Sequence, residues 1–289
     1  MIELGRNRYG KAAIHVVRVA RDPGGHRVRD VIVAVALEGD FDAAHTDGDN
    51  SLVVTTDTMK NTAFAFARDH LDGSIDAYAR ALAEHFIEFE QVDRATVNVR
   101  GHDWRPIEVG GRPARDAFVR GGEGTRIATA SASRVETTVE AGVEELVAMK
   151  TTRSSFKGFP RDRYTTLQEA DDRLMATKIT AIWRYGSPDL DFDATFGAVR
   201  TTLLEVFADH DSPSVQTSIW IMGRQILERH EAVEEVRMVL PNLHHWLVDL
   251  EPFGMTNDGE VYISTTEPHG LIEATVRRSD MRDPTGSRA

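Results

Sequence analysis

The feature that most constrains the fold is an order of predicted elements that occurs twice along the 289 residues. The first half opens with two Val- and Ile-rich stretches, 13–20 and 28–37, which have the composition and alternation of strands. Two helical patterns follow, and further strands close the half. The second half repeats the order, strand–strand–helix–helix–strand–strand, with helices predicted over 196–210 and from Ser214 onward. This order predicts an α+β chain built from two tandem copies of one module.

Each module is predicted to be an antiparallel sheet with two helices on one face, divided into domains 1–136 and 137–289. Sheets of this kind can close side by side into a barrel, which removes their exposed edges. Within the first module we expect a short strand at 52–54 and a long one over 126–139. The first helix is expected to have Asp57 or Thr58 as its N-cap, and the helix of the second half Ser214.

Composition excludes several classes of protein. The chain contains no cysteine, which rules out disulfides, thiolate nucleophiles and cysteine-held metal or iron–sulfur sites. Its formal net charge of −12 argues against nucleic-acid binding, which requires a basic surface. The apolar runs are too short for a membrane span, the N-terminus lacks the apolar core of a signal peptide, and the tail 286–289 is unlike a peroxisomal Ser-Lys-Leu signal. We therefore expect a cytoplasmic protein with no nucleic-acid or membrane partner.

Five short polar signatures lie at ends of predicted strands or starts of predicted helices. They are Tyr9-Gly10-Lys11, Thr56-Asp57-Thr58, Phe156-x-Gly158-Phe159 followed by Arg173, Ser214-Val215-Gln216, and Asn242-x-His244. Together they supply cations, an amide that can donate and accept, an aromatic face and a Lys/Thr/His set for proton transfer. This combination of groups suits the binding of a flat, polar, anionic heterocycle. From Tyr9 to His244, the order of these signatures resembles that of the urate oxidase (uricase) family.

The resemblance implies two tunnelling-fold (T-fold) modules per chain and a homotetramer around a central tunnel, with active sites at the subunit interfaces. It implies urate and O2 as substrates, 5-hydroxyisourate and hydrogen peroxide as products, and no cofactor or metal. Most oxidases recruit flavin or a metal because triplet O2 reacts slowly with closed-shell molecules. Deprotonated urate is electron-rich enough to pass an electron to O2 directly.

The resemblance also assigns roles to individual residues. Arg173 and Gln216 would clamp urate over the ring of Phe156, and the Val215 N–H would complete the recognition of the purine edge. The Thr56-Asp57 segment would reach the same ligand from a neighbouring subunit. Lys11, Thr56 and His244 would form the proton relay, and Asn242 with Thr56 would position O2 and then water.

Each of these residues also has an ordinary structural interpretation. Arg173 could pair with Asp171 or Glu169 in solvent, Phe156 could belong to the core, and Thr56 could be a helix cap. Four histidines could instead build a metal site, although their spacing matches no common ligand pattern: His210, His230, His244 and His245. A different functional class is a purine- or pterin-binding T-fold protein with hydrolytic chemistry or none.

Overall fold

The computed structural model of the chain describes residues 2–279, so the tail 286–289 lies outside the described residues. The chain divides into two compact units. Unit 1 contains the residues up to 142 together with 184–196, and unit 2 contains residues 143–183 and those from 197 on. The domain boundary expected between residues 136 and 137 stays a prediction.

Unit 1 combines a sheet, a hairpin and three helices. Its hydrogen-bonded strand order is β1-β2-β3-β6-β7, and β4 pairs with β5 in the separate hairpin. The strands are β1 (Tyr9–Asp22), β2 (Gly25–Gly39), β3 (Val92–His102), β4 (Trp104–Val109), β5 (Arg112–Arg120), β6 (Thr125–Ser133) and β7 (Thr137–Lys150), which ends in unit 2. The helices are α1 (Asp42–Thr46), α2 (Thr56–His70) and α3 (Ile75–Phe86).

Helices α2 and α3 pack on the sheet of unit 1 and bury its apolar side chains. Alternate residues of β2, such as Val33 and Leu37, are completely buried, as the period of a strand requires. Tyr78 and Phe86 of α3 are buried as well, and the Tyr78 hydroxyl donates a hydrogen bond of 2.7 Å to the Ala63 carbonyl of α2. The buried hydroxyl is therefore satisfied, and it ties the two helices to each other.

A partly buried ion network joins segment 184–196 to the rest of unit 1. Arg126 of β6 donates to Asp76 of α3 at 2.5 Å and to Asp193 at 2.6 Å. Its guanidinium carbon lies 4.1 Å from the centre of the Phe196 ring. Asp76 is fully buried, and desolvation raises its pKa to about 6. These contacts help to place segment 184–196 in unit 1, although it lies in the second half of the sequence.

Unit 2 has the strand order β7-β8-β9-β10 and two helices. Its further elements are β8 (Met175–Tyr185), α4 (Phe192–Ala208), α5 (Val215–Arg229), β9 (Val233–Leu247) and β10 (Tyr262–Arg277). The end of β8 and the start of α4 lie in segment 184–196 of unit 1. Strands β9 and β10 are antiparallel, with a register shift between Thr265 and Gly270. The core is formed by fully buried side chains such as Trp183 of β8, Ile219 of α5 and Leu240 of β9.

The structure confirms the α+β class, corrects two local expectations and adds one strand. Residues 52–54 are not a strand, because their carbonyl groups accept hydrogen bonds from side chains instead of from a neighbouring strand. The Gln91 amide donates to the Leu52 carbonyl, and the Tyr9 hydroxyl donates to the Val54 carbonyl. The expected strand over 126–139 is two strands, separated by a turn in which the Ser133 N–H donates to the Glu136 carbonyl at 2.8 Å. Strand β10 was not predicted at all.

We predict that Gly223→Ala destabilises the protein. Gly223 lies in α5, where an added Cβ would come within 2.6 Å of Cγ2 and 2.8 Å of Cβ of Val276 in β10. Overpacking of this kind costs about 1–3 kcal/mol. Urea unfolding should show a lower midpoint with an unchanged slope.

Gly197→Ala is the matched control, because Gly197 lies in α4 and an added Cβ there has nothing within 4 Å. Replacing a helical glycine by alanine stabilises a helix by about 0.5–1 kcal/mol. The two substitutions should therefore act in opposite directions. Equal effects would show that α5 does not pack as closely on β10 as described.

Candidate active site

Unit 2 contains a cavity of about 370 Å³ that six of the nine expected site residues line: Phe156, Arg173, Val215, Gln216, Asn242 and His244. Its volume lies in the range of pockets that bind small molecules. The six residues come from three separate stretches of chain, namely the loop between β7 and β8, the start of α5 and the end of β9. The fold therefore brings these three stretches together around one cavity.

Arg173 is the charged group of this cavity. It is half-buried, its Nε has no hydrogen-bond partner, and its guanidinium carbon lies 5.1 Å from the centre of the Phe156 ring. Burial lowers the pKa of Arg173, although a guanidinium remains charged at neutral pH. Among residues 2–279 no carboxylate forms an ion pair with it.

The solvated pairing considered for Arg173 is not what the structure contains. Asp171 pairs with Lys157, and the carboxylate of Glu169 accepts a hydrogen bond of 3.1 Å from the Gly158 N–H. Both candidate acidic partners are thus used elsewhere in the same loop. The guanidinium is left available to a ligand in the cavity.

Phe156 is fixed by its backbone and by a neighbouring ring. It exchanges two hydrogen bonds with Ala170, at 2.9 and 3.0 Å. Its ring stacks on Phe159 with centroids 5.1 Å apart and an angle of 15° between the planes. Phe156 is half-buried, so an aromatic surface borders the cavity, as stacking on a flat ligand requires.

The start of α5 brings Val215 and Gln216 to the cavity. Ser214 is the N-cap, as predicted, and its hydroxyl accepts a hydrogen bond of 3.1 Å from the Thr217 N–H. Val215 and Gln216 are the first two helical residues, whose N–H groups have no partner within the helix. These groups and the positive end of the helix dipole favour an anion here.

Asn242 and His244 lie near the end of β9. The His244 ring stacks on the ring of Trp246, with centroids 5.6 Å apart and 25° between the planes. The pairing of β9 with β10 is irregular here, since Asn242 lies opposite Gly270 while His244 lies opposite Thr265. An imidazole and an amide border the same cavity as Arg173.

The remaining three expected site residues, Lys11, Thr56 and Asp57, belong to unit 1. Thr56 and Asp57 are the first two residues of α2, and the N-cap is Thr55 rather than Asp57 or Thr58. The Thr55 hydroxyl accepts a hydrogen bond of 3.0 Å from the Thr58 N–H, and Thr56 is exposed. A hydrogen bond from Lys60 and the charge of that lysine, with a smaller contribution from the charge of Lys11, hold the pKa of Asp57 below its usual range.

Sequence reasoning missed eight residues that line the cavity: Leu167, Gln168, Ala170, Leu174, Leu243, His245, Trp246 and Ile272. Trp246 could have been found, because it continues the alternate positions of Asn242 and His244 along a strand. His245 lines the cavity beside His244, where the irregular pairing interrupts simple alternation. Leu167, Gln168 and Ala170 lie in an irregular loop and carry no local signal.

The four histidines considered as metal ligands do not form a cluster. The His210 ring hydrogen-bonds to Ser218 at 2.8 Å, and the His230 ring to Thr202 at 2.8 Å. Within residues 2–279 no three His, Asp or Glu side chains are grouped so as to hold a metal ion.

Comparison with known proteins identifies the family. The family model described as Uricase matches residues 7–131 and 139–273. The chain belongs to the uricase family. The uricase of Arthrobacter globiformis is 43% identical over 282 residues, which cover 97% of this chain and 92% of that protein. The uricase of Dictyostelium discoideum is 36% identical and that of Danio rerio 35%, over 98% and 96% of this chain.

Solved uricase structures have the same fold. The crystal structure of the Arthrobacter globiformis uricase superimposes with a TM-score of 0.92 over 98% of this chain and 97% of that chain. A Bacillus sp. TB-90 urate oxidase variant, only 23% identical, still gives a TM-score of 0.80 over 94% of this chain. The expected pair of T-fold modules is thereby confirmed. Across residues 2–279, no helix has the length and apolar character needed to cross a membrane.

Proposed function

We propose that this protein is a urate oxidase. It converts urate, O2 and water into 5-hydroxyisourate and hydrogen peroxide. An electron pair leaves urate and reduces O2 to peroxide, and water supplies the oxygen atom of the new hydroxyl group. The uricase relatives support this activity, and the unpaired Arg173 in the cavity is the observation that carries it.

The presence of Arg173 favours a substrate that is an anion and that has two neighbouring hydrogen-bond acceptors on one edge. A guanidinium donates parallel hydrogen bonds to two such acceptors, and charge-assisted bonds of this kind are about twice as strong as neutral ones. Gln216 and the free Val215 N–H add one acceptor and further donors at the same cavity. Urate has this alternation of carbonyls and ring N–H groups. We therefore propose that Arg173, Val215 and Gln216 bind the urate anion over the ring of Phe156.

Proton transfer is assigned to Lys11, Thr56 and His244. A lysine ammonium placed against a threonine hydroxyl polarises it, and a histidine accepts or supplies a proton near neutral pH. Asn242 and Thr56 would position O2 and then water beside the substrate, and Asp57 would complete the edge of the site. The electrons come from the urate anion itself, so the proposed reaction uses no resident metal or cofactor.

We also propose that four copies assemble so that Lys11, Thr56 and Asp57 of one copy complete the cavity of another. Strand residues such as Val17 and Val147 are 63% and 62% exposed in the single chain. Apolar groups of this kind on strands suit burial against further copies, as in the barrel expected for T-fold modules. The two domains, 1–136 and 137–289, would be the repeating modules of that barrel.

The decisive test follows the ultraviolet absorbance of urate with and without O2, each in the presence and absence of a chelator. We expect loss of urate that requires O2, that releases hydrogen peroxide and that the chelator does not change. Loss without O2 would indicate hydrolysis. Binding of urate or a pterin without any loss would indicate the alternative, a binding module.

We predict that Arg173→Ala weakens urate binding by about 10- to 100-fold, because it removes charge-assisted hydrogen bonds worth about 1.5–3 kcal/mol. Anaerobic equilibrium dialysis measures this binding without turnover. Arg163→Ala is the control, since Arg163 is an exposed arginine of the same loop whose guanidinium lies over Tyr164. Equal affinity in both variants would remove Arg173 from the substrate site.

We predict that Lys11→Met and Thr56→Ala reduce kcat by about 100- to 10,000-fold, because each removes a member of the proton relay. Anaerobic urate binding should change far less than kcat. Lys178→Met, the same change at an exposed strand position of β8, serves as the control. A loss of binding in Lys11→Met as large as the loss of kcat would show that Lys11 holds the substrate rather than moving protons.

A further inference from the structure

Two stretches that border the cavity are attached to one short segment, Thr152 to Ser155, which follows β7. On the side of α5, the Ser155 N–H donates to the Ser212 carbonyl and the Ser212 N–H donates to the Arg153 carbonyl, both at 2.9 Å. Ser212 is two residues before the N-cap Ser214, and it is buried. The start of α5, which carries Val215 and Gln216, is thereby fixed to this segment.

On the side of Arg173, the attachment is made by the carboxylate of Asp172. Its Oδ1 accepts hydrogen bonds of 3.0 Å from the N–H groups of Ser154 and Arg173, and its Oδ2 accepts one from the Thr152 hydroxyl. The hydrogen bonds from Thr152 and Ser154 hold the pKa of Asp172 below its usual range. One ionised carboxylate thus joins the backbone of Arg173 to the segment that also holds α5.

The segment is fixed tightly enough to keep a strained residue. Arg153 has φ of 60°, in the left-handed region that a non-glycine residue adopts at a cost of about 1–3 kcal/mol. Its guanidinium donates to the Ala208 carbonyl at 2.9 Å and pairs with Asp211 at 3.2 Å. Such a conformation persists only where the surroundings determine it.

We propose that Asp172 is a positioning residue, which sets the distance between Arg173 and the start of α5 so that both bind one substrate. The proposal rests on the proposed urate oxidase function. Asp172 contacts backbone groups and Thr152, so it acts through Arg173 rather than on the substrate. The substrate has its acceptors at a fixed separation, so the donors of Arg173 and of α5 must be held at a matching separation. Small displacements of these donors lower the affinity for the substrate.

The test compares Asp172→Ala with Asp171→Ala, a matched change one residue away. Asp171 is 90% exposed and pairs with Lys157 at the surface. We expect Asp172→Ala to weaken anaerobic urate binding and to raise KM by about 10-fold, with a smaller change in kcat, while Asp171→Ala stays within about 2-fold of the unaltered protein. Asp172→Asn keeps an acceptor for the two N–H groups, so it should restore most of the affinity even if the alanine variant folds poorly.

A double-mutant cycle with Arg173→Ala separates positioning from a general structural role. If Asp172 acts through Arg173, Asp172→Ala should change urate binding by less than about 2-fold once Arg173 is absent. Additive losses, or losses equal to those of Asp171→Ala, would overturn the proposal while leaving the oxidase function intact. An unaltered protein that neither binds nor oxidises urate would overturn both.

Discussion

The partial burial of the Arg173 guanidinium is the constraint on which the proposed binding of an anion in this cavity depends. Withdrawing a cation from water costs free energy unless an anion or suitably oriented dipoles replace the lost hydration. Within residues 2–279 no carboxylate does so, and the two acidic partners considered for Arg173, Asp171 and Glu169, are bound to Lys157 and to the Gly158 N–H. In the proposed site the urate anion recovers this cost, which would account for anion binding by a protein with a net charge of −12.

The starts of α2 and α5 show how two similar modules acquire different tasks. Each helix begins after a hydroxyl N-cap, Thr55 or Ser214, that accepts a hydrogen bond from the N–H three residues later. The next residues differ, since Thr56 is followed by Asp57 in one and Val215 by Gln216 in the other. A carboxylate at a helix start competes with an anionic ligand for the same N–H groups, whereas an amide does not. This difference supports the proposed placement of the anion at the start of α5, with α2 offering the Thr56 hydroxyl.

Much of the fold follows from the sequence, because long apolar alternation determines which face of a strand is buried. The same local reasoning found Ser214 as a cap, but it placed the first cap two or three residues late. Thr55, Asp57 and Thr58 are all chemically suitable, and only backbone angles distinguish them. Strand β10 lacks a continuous pattern, because its register shifts between Thr265 and Gly270. The irregular loop around Leu167 and Ala170 could not be placed either, since its position depends on distant pairing with Phe156.

The placement of Lys11 shows why a polar residue at a strand end needs exact backbone geometry. A Cβ on Gly10 would lie 1.8 Å from the Val35 carbonyl oxygen, so β1 can approach β2 this closely only with glycine there. The pairing then shifts register after Lys11, with Ala13 at φ of 55°, and such a bulge redirects the neighbouring side chains. The Tyr9 hydroxyl donates to the Val54 carbonyl at 3.0 Å, two residues before α2 begins. The same few residues therefore place Lys11 and fix the start of the helix that carries Thr56, so backbone contacts would set the geometry of the proposed proton relay.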